Sequence, residues 1–516
     1  MNLVALLHER AALHPERAAL IEAGTSRSVT YGGLADRVSR GAATLQRLGL
    51  IEGNTILIFQ PVSIVLYEIV LAALHAGMRV MLADPSAGEA FLGACCQRLA
   101  PDALFGPPKA HLLRCMVRRM WKIPVGIRSS GWWPGSKRWR ATDPPAPVAT
   151  VTEQHPALIT FTSGSTGVPK AAVRTHGFLL AQHRVLAEAL DFKDGEVDLT
   201  TLPVFVLANL ASGLTSILAP PGTELSNSFS KFHPTRCAAS PAFFESLINR
   251  ELPPFTKIFL GGAPVFPDLL AHLRAFLPAA RIEAVYGSTE AEPIAHASAV
   301  EMDPEIESII NLGGGLFAGT TVPGIELRIL RDQWGTPLGP LDEHGLADLT
   351  VSTGQAGEIV VAGEHVLTGY LDGVGDAETK IHVGARVWHR TGDAGWIDSK
   401  GRLWLLGRTG EKLPPFPAPA GLPAEALNYP FAIECGIRSG NPELRTAAIG
   451  WSDRRVLIVA GPADAAMGLA IRNMAAERFG IEEVVFVEEL PLDHRHRAKI
   501  DYPALREMLD ARESIY

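Results

Sequence analysis

Along the stretch from about Val29 to Leu218, apolar runs such as Thr55-Ile56-Leu57-Ile58-Phe59 alternate with apolar positions at helical spacing, as from Ser63 to Ala76. That rhythm, with Gly and Pro at the joints, predicts parallel strands joined by helices in an α/β layer. The most apolar region, Ile56 to Asp84, is interrupted by Gln60, Pro61, Glu68, His75, Gly77 and Arg79. It therefore predicts a buried strand, helix and strand rather than a membrane span. Past Pro323 the pattern changes to short strands, Glu326 to Leu330, Gly357 to Val361 and Arg402 to Leu406, split by Gly, Asp and Pro turns. A β-rich subdomain is expected there. Between Thr409 and Gly421 a proline-rich stretch predicts a linker or extended loop, because proline is excluded from helix interiors. Beyond it lie Ala447 to Ile449, Val456 to Ala460, an amphipathic Ala465 to Phe479, and Val484 to Val487. The expected architecture is α/β: a large multi-layer body over 1–408 and a small, mobile α+β C-terminal domain over 409–516.

Composition narrows the partners. The 516 residues carry 47 Lys and Arg against 55 Asp and Glu, a formal charge of -8, which argues against nucleic acid as the main partner. Five cysteines, Cys95, Cys96, Cys115, Cys237 and Cys435, have neither the even count nor the spacing of a disulfide framework or zinc site. Met1 to Arg10 reads as a short amphipathic helix without the basic start and long apolar core of a secretory signal, so a cytoplasmic location is expected. One segment departs from the acidic average. Lys109, Arg114, Arg118, Arg119, Lys122, Arg128, Lys137, Arg138 and Arg140 follow one another with no Asp or Glu between them. Leu112, Leu113, Met116, Val117, Met120 and Trp121 recur at helical spacing inside it. Residues 109–140 thus read either as a solvated basic face over a core stripe or as a peripheral membrane or pathway-protein contact.

Four segments carry chemistry. The apolar strand Ile159-Thr160-Phe161 runs into Thr162-Ser163-Gly164-Ser165-Thr166-Gly167-Val168-Pro169-Lys170, a loop of hydroxyls and glycines closed by lysine. Glycines admit backbone N–H groups to a polyphosphate, hydroxyls add hydrogen bonds, and the lysine adds positive charge. It is not a Walker A loop, since Pro169 rather than glycine stands five residues after Gly164, and a plain surface turn is the alternative. Tyr286-Gly287-Ser288-Thr289-Glu290 offers a hard carboxylate, or else a helix start capped by Ser288 or Thr289. Thr391-Gly392-Asp393 presents a carboxylate able to accept two hydrogen bonds, or else a hairpin turn like that of Asp398-Ser399-Lys400-Gly401. His494-Arg495-His496-Arg497-Ala498-Lys499 is a basic cluster that by itself reads as a solvated patch. A G-x-G-x-x-A match at Gly313 to Ala318 is discounted, because Gly319 to Gly324 would break the helix a dinucleotide needs.

Taken in order, these segments, with Gly357-Glu358-Ile359, Gly369-Tyr370 and Gly407-Arg408, resemble the acyl-adenylate-forming superfamily of acyl-CoA synthetases, luciferases and nonribosomal peptide synthetase adenylation domains. The resemblance runs from about Ala18 to Leu505. It implies a nucleotide held by Thr162, Ser163, Gly164, Ser165, Thr166, Gly167 and Lys170 at its phosphates. Tyr286 and Gly287 would lie against adenine and the reacting carboxylate, Thr289 would touch the α-phosphate, and Glu290 would bind Mg²⁺. Asp393 would hold the ribose hydroxyls with Arg408 in support, and Lys499 would be the adenylation lysine. Gly261, Gly262, Gly314 and Gly315, with Phe205 and Asn209, would line an acyl pocket. They favour a hydrophobic acid, since no acidic side chain among them would meet an α-amino group.

Three departures concern the second half-reaction. Val206 stands where many acyl-CoA synthetases carry histidine, Gly410 replaces the hinge Asp or Lys, and the proline-rich stretch replaces the loop near the pantetheine channel. CoA as acceptor is thereby put in question. The tail, the segment Leu207-Ala208-Asn209-Leu210 and the run ending at Pro293 resemble the β-lactone synthetases of olefin biosynthesis. The expected activity is ATP-dependent activation of a long-chain β-hydroxy or fatty acid to acyl-AMP, then closure to a β-lactone. A fatty acyl-CoA ligase and a non-catalytic nucleotide-binding scaffold are the alternatives.

Overall fold

The structure, a computed structural model, describes residues 1–163, 169–220, 222–223, 225–247, 252–461, 464–492 and 499–513. They fall into two compact units: Met1–Ala238 with Leu252–Phe255 and Glu364–Asp376, and Ala239–Glu251 with Thr256–Gly363 and Ala377–Tyr516.

The first unit holds a seven-stranded sheet in the order Lys137–Arg138, Val125–Arg128, Ala103–Gly106, Thr55–Ile58, Arg79–Leu82, Pro156–Ser163, Pro169–Thr175. Every neighbouring pair is parallel except the last, which is a hairpin. The expected strand, helix and strand of the apolar region are Thr55–Ile58, Ile64–His75 and Arg79–Leu82. The helix starts where it does because the Ser63 hydroxyl accepts from the Leu66 N–H at 3.3 Å, satisfying a first-turn donor. Its Ile69, Leu71, Ala72 and Leu74 are buried with Leu34, Val38 and Leu45 of the helix Tyr31–Arg47, so the near-continuous apolar run is explained by burial on several sides. Further strands of this unit, Arg236–Ala239, Val197–Thr200, Thr215–Leu218 and Ala18–Glu22, pair in parallel in that order, with Ser28–Thr30 antiparallel at the end.

The second unit is mostly antiparallel. Its large sheet runs Ile325–Leu330, Gly357–Gly363, Arg386–Ile397, Leu403–Arg408, Leu316–Thr321, Ala291–Ser298, Arg281–Ser288 and Lys257–Leu260. The short strands expected past Pro323 are all present. Glu358 and Arg390 form a fully buried pair across neighbouring strands, with Arg390 Nη2 donating to Glu358 Oε2 at 2.6 Å. Glycine serves close approach here. Gly315, at φ +94°, has Leu405 O 2.2 Å from where a Cβ would sit, and Gly319, at φ +76°, has His296 O at 2.1 Å. The strand Leu316–Thr321 follows Gly313 to Gly315 directly, where a dinucleotide fingerprint would need a helix.

The same unit contains the tail elements: strands Arg445–Trp451, Arg454–Ala460 and Glu483–Val487, and helices Pro430–Ser439, Ala465–Phe479 and Tyr502–Glu513. Asp464 caps the middle helix by accepting from Met467 N at 2.8 Å, and Gly480, at φ +62°, ends it. The proline-rich stretch is an extended loop packed on this tail. Leu413 N donates to Asn428 O at 2.9 Å, Phe416 N to Asn428 Oδ1 at 3.0 Å, and the Arg455 guanidinium lies over the Phe416 ring.

Candidate functional site

The hydroxyl and glycine loop leaves the strand Pro156–Ser163 and returns in Pro169–Thr175, with Thr162 opposite Lys170 and Ser163 opposite Pro169. Gly164, Ser165, Thr166 and Gly167 lie outside the described residues, so the structure places the base of this hairpin. Lys170 is oriented by neighbours far along the chain: its ammonium lies 6.0 Å from the centre of the Tyr370 ring. A Cβ on Gly375 would come within 2.8 Å of the Lys170 side chain, and Gly375 has φ +100°. Arg98 braces the same region, donating to Pro169 O and Leu371 O. A lone arginine on the helix Glu89–Arg98 gave no sequence signal, because its partners are 71 and 273 positions away.

In the second unit the run Tyr286 to Glu290 is a strand end and turn, not a helix start. The strands Arg281–Ser288 and Ala291–Ser298 pair antiparallel with Ser288 opposite Ala291. The Ser288 hydroxyl accepts from Glu290 N at 3.2 Å and Ala291 N at 3.3 Å, which holds Thr289 and Glu290 at the tip. Likewise Thr391-Gly392-Asp393 is no turn: it lies inside the twelve-residue strand Arg386–Ile397. The turn is the other candidate, where Asp398 Oδ1 accepts from the N–H groups of Lys400 and Arg402, each at 2.9 Å.

These elements bring three of the expected residues together. Asp393 is directly opposite Arg408 in the ladder, and Arg408 Nη1 stands 3.2 Å from Asp393 Oδ1. The Tyr286 hydroxyl donates to the other carboxylate oxygen, Oδ2, at 2.7 Å. Asp393 N donates to Thr391 Oγ1 at 3.1 Å, and Thr409 Oγ1 donates to Gly392 O at 2.9 Å, so the strand is clamped on both sides. Desolvation, and then the Asp393 carboxylate, push the Tyr286 phenol well above its usual range, which keeps it a proton donor. The Asp393 charge raises the Arg408 guanidinium in turn, and Tyr286, Glu290 and Tyr502 act in the same direction against desolvation. Trp334 was not anticipated. Its indole packs against Gly392, where a Cβ would meet it at 3.0 Å, and beside Gly410.

Lys499 is exposed, and the residues that follow it are anchored. Ile500 bridges Leu492 in antiparallel fashion, and the Tyr502 hydroxyl reaches Glu434 Oε1 at 3.4 Å. Glu434 is buried in the helix Pro430–Ser439 and also accepts from Ala448 N at 2.9 Å. Burial pushes its carboxyl up to about 8. His494 to Arg497 lie outside the described residues.

The positions expected around the acid are dispersed in character. Phe205 is buried in the helix Pro203–Ser212. Asn209 is on the same helix, 1 % exposed, and its amide donates to Asp198 Oδ2 at 2.8 Å, Thr200 Oγ1 at 3.2 Å and Ser216 Oγ at 3.1 Å. It ties the helix to the sheet beneath it. Gly314 and Gly315 are buried against Ile309, Leu422 and Leu405, a packing position. Gly261 lies close to Val285 O, whereas Gly262 is exposed at φ +79° with open space on its Cβ side among the described residues.

Comparison with known proteins extends over the same length. The sequence is 31% identical to the olefin beta-lactone synthetase of Stenotrophomonas maltophilia (strain K279a), covering 92% of this chain and 90% of that one. It is 30% identical to the enzyme of the same name from Xanthomonas campestris pv. campestris, covering 92% and 89%. The crystal structure of ATP-bound MatB from Rhodopseudomonas palustris superposes with a TM-score of 0.77 at 20% identity, over 98% of each chain. The α/β adenylating-enzyme fold expected from the resemblance is therefore the one adopted. A family model described as AMP-binding enzyme matches residues 7–371, and the chain belongs to that family.

Proposed function

We propose that this protein activates a hydrophobic β-hydroxy carboxylic acid with ATP and closes the activated acid to a β-lactone. The observation that carries the reading is the similarity to two olefin beta-lactone synthetases over 92% of the chain, at 31% and 30% identity. The arrangement around Asp393 supports the first step. A carboxylate with one oxygen on Tyr286 and the other facing Arg408 is fixed in orientation and retains lone pairs for the two hydroxyls of a ribose. We assign the phosphates to the hairpin from Thr162 to Lys170, and the adenine and reacting carboxylate to Tyr286 and Gly287. Thr289 is assigned to the α-phosphate.

Among the described residues no group of three or more His, Cys, Asp or Glu side chains could hold a metal ion. The carboxylate of Glu290, at the turn tip, suits magnesium, which keeps several waters and takes its remaining ligands from substrate phosphates. When bound, the ion would neutralise charge on those phosphate oxygens.

In the first step a carboxylate oxygen of the acid forms a bond to the α-phosphorus, and the bond to the departing pyrophosphate breaks. Lys499 places an ammonium against the charge that grows there. In the second step the β-hydroxyl oxygen bonds to the activated carbonyl carbon, the acyl–phosphate bond breaks, AMP leaves, and the hydroxyl proton passes to solvent. Gly261 and Gly262 are assigned to present backbone to the acid, and no acidic residue occurs among the positions assigned to the pocket to select an amine.

The test is incubation with ATP, magnesium and a β-hydroxy fatty acid, with and without CoA, read by mass spectrometry. The expected product is the acid less one water, together with AMP and pyrophosphate, unaffected by CoA. An acyl-CoA formed in its place would overturn lactone closure in favour of a ligase. No pyrophosphate with any acid would leave a nucleotide-binding scaffold.

A further inference from the structure

The basic segment 109–140 resolves into a built surface patch on the first unit. The helical spacing from Leu112 to Trp121 is met by two pieces: the helix Pro108–Met116 ends at Val117, and a 3₁₀ turn, Arg118–Lys122, follows. The break sorts the apolar residues. Val117 and Met120 enter the core with Leu92 and Cys95, while Leu112, Met116, Trp121 and Trp132 remain outside, at 51%, 62%, 60% and 72% exposure.

The four lie on this helix and on the segments held at its two ends. Leu112 and Met116 are one helical turn apart on the outer face. Trp121 Nε1 donates to Cys115 O at 2.8 Å, which lays the indole against the C-terminal end of the helix. The Trp133 ring stacks on His111 with centroids 6.2 Å apart, and a Cβ on Gly131 would touch Pro108 at 2.9 Å, so the loop bearing Trp132 is held at the other end. Exposed cations neighbour them along the chain. Lys109, Arg118, Arg119 and Lys122 are exposed, and among the described residues their side chains have no acidic partner. No Asp or Glu occurs between Asp102 and Asp143, in a chain whose net charge is -8.

We propose that this patch docks the protein on an anionic lipid surface. Two exposed indoles and two flexible aliphatic side chains interspersed along the chain with exposed Lys and Arg suit the headgroup zone: aromatic rings settle at that depth, and long cationic stems reach outward to lipid phosphates. The charge asymmetry sets the orientation, since the rest of the molecule is acidic and is repelled by the same surface. Contact is peripheral, because no helix among the described residues is long and apolar enough to cross a membrane. An acidic protein face is the rival occupant, and failure to bind anionic vesicles is the outcome that would favour it.

The test is co-sedimentation of the full chain with vesicles of phosphatidylcholine alone and of phosphatidylcholine containing a minority of phosphatidylglycerol, at low and high salt. Binding is expected only to the anionic vesicles, and to weaken with salt. Reversing Arg118, Arg119 and Lys122 to Glu is expected to reduce partitioning roughly tenfold or more. Replacing Trp121 and Trp132 by Ser is expected to reduce it at both salt concentrations. Pyrophosphate release with a soluble acid serves as the folding control, because no substituted residue belongs to the nucleotide site. Failure to bind anionic vesicles at low salt, or binding unchanged by charge reversal, would overturn the proposal. So would concentration-dependent self-association that these substitutions abolish in the absence of vesicle binding.

Discussion

Tyr286 and Asp393, 107 positions apart in sequence, are joined by a 2.7 Å hydrogen bond in which the phenol donates. The bond leaves the second carboxylate oxygen facing Arg408, so one side chain is held by a neutral donor on one side and a cation on the other. Removing only the hydroxyl, in Tyr286→Phe, is expected to raise the KM for ATP roughly tenfold, the scale of a hydrogen bond to a charged group, with a smaller effect on kcat. Steady-state pyrophosphate release measures both, and an unchanged KM would mean that the carboxylate does not meet the nucleotide.

Lys499→Ala separates binding from chemistry. The exposed ammonium is assigned to charge that appears only as the α-phosphorus bond changes. Its loss is expected to lower acid-dependent pyrophosphate release on the order of a hundredfold or more, with ATP affinity by calorimetry preserved. Equal losses in both would make the lysine a ground-state contact.

The Glu358–Arg390 pair lies in a neighbouring strand pair and is wholly buried. Glu358→Gln leaves the guanidinium without its counter-charge and is expected to destabilise the protein by about 3 to 5 kcal/mol, read from denaturant unfolding. Replacing both residues with apolar side chains of similar volume is expected to recover much of that loss, which a purely steric role would not allow.

Glu434 gives the tail a pH dependence. Its folded carboxyl, at about 8, binds a proton more tightly than in the unfolded chain. Its contribution is therefore complete below the unfolded value of 4.5 and is lost as pH rises toward about 8. Glu434→Gln does not titrate, so its Tm is expected to match wild type near pH 5 and to exceed it by a few degrees near pH 9, each an approximate figure. Identical pH slopes for the two proteins would exclude Glu434 as the source.

Elements written in local pattern were legible from the chain alone. The segmented run from Ile56 to Asp84 and the tail strands near Ala447 and Val456 occur where apolar period and turn residues put them. Features decided by distant partners were not. Helical spacing continues unbroken from Leu112 to Trp121, yet the helix stops at Val117, where Arg114 folds back on the carbonyls of Met120 and Ile123. Thr391-Gly392-Asp393 has turn composition, but pairing with Leu403–Arg408 keeps it in a strand. Asn209 reads as a pocket lining because its neighbours are apolar. Its amide also serves Asp198, a residue whose burial no local pattern reveals.

Gly315 and Gly319 combine left-handed backbone with a carbonyl of the adjoining strand inside the volume of any added carbon. Neither position tolerates even alanine without parting two strands, so the route from Gly313 into the large sheet is closed to variation by side-chain exchange. Attempts to broaden the range of acids accepted must therefore recruit residues elsewhere, and diversity among natural variants of this protein should bypass these two sites altogether.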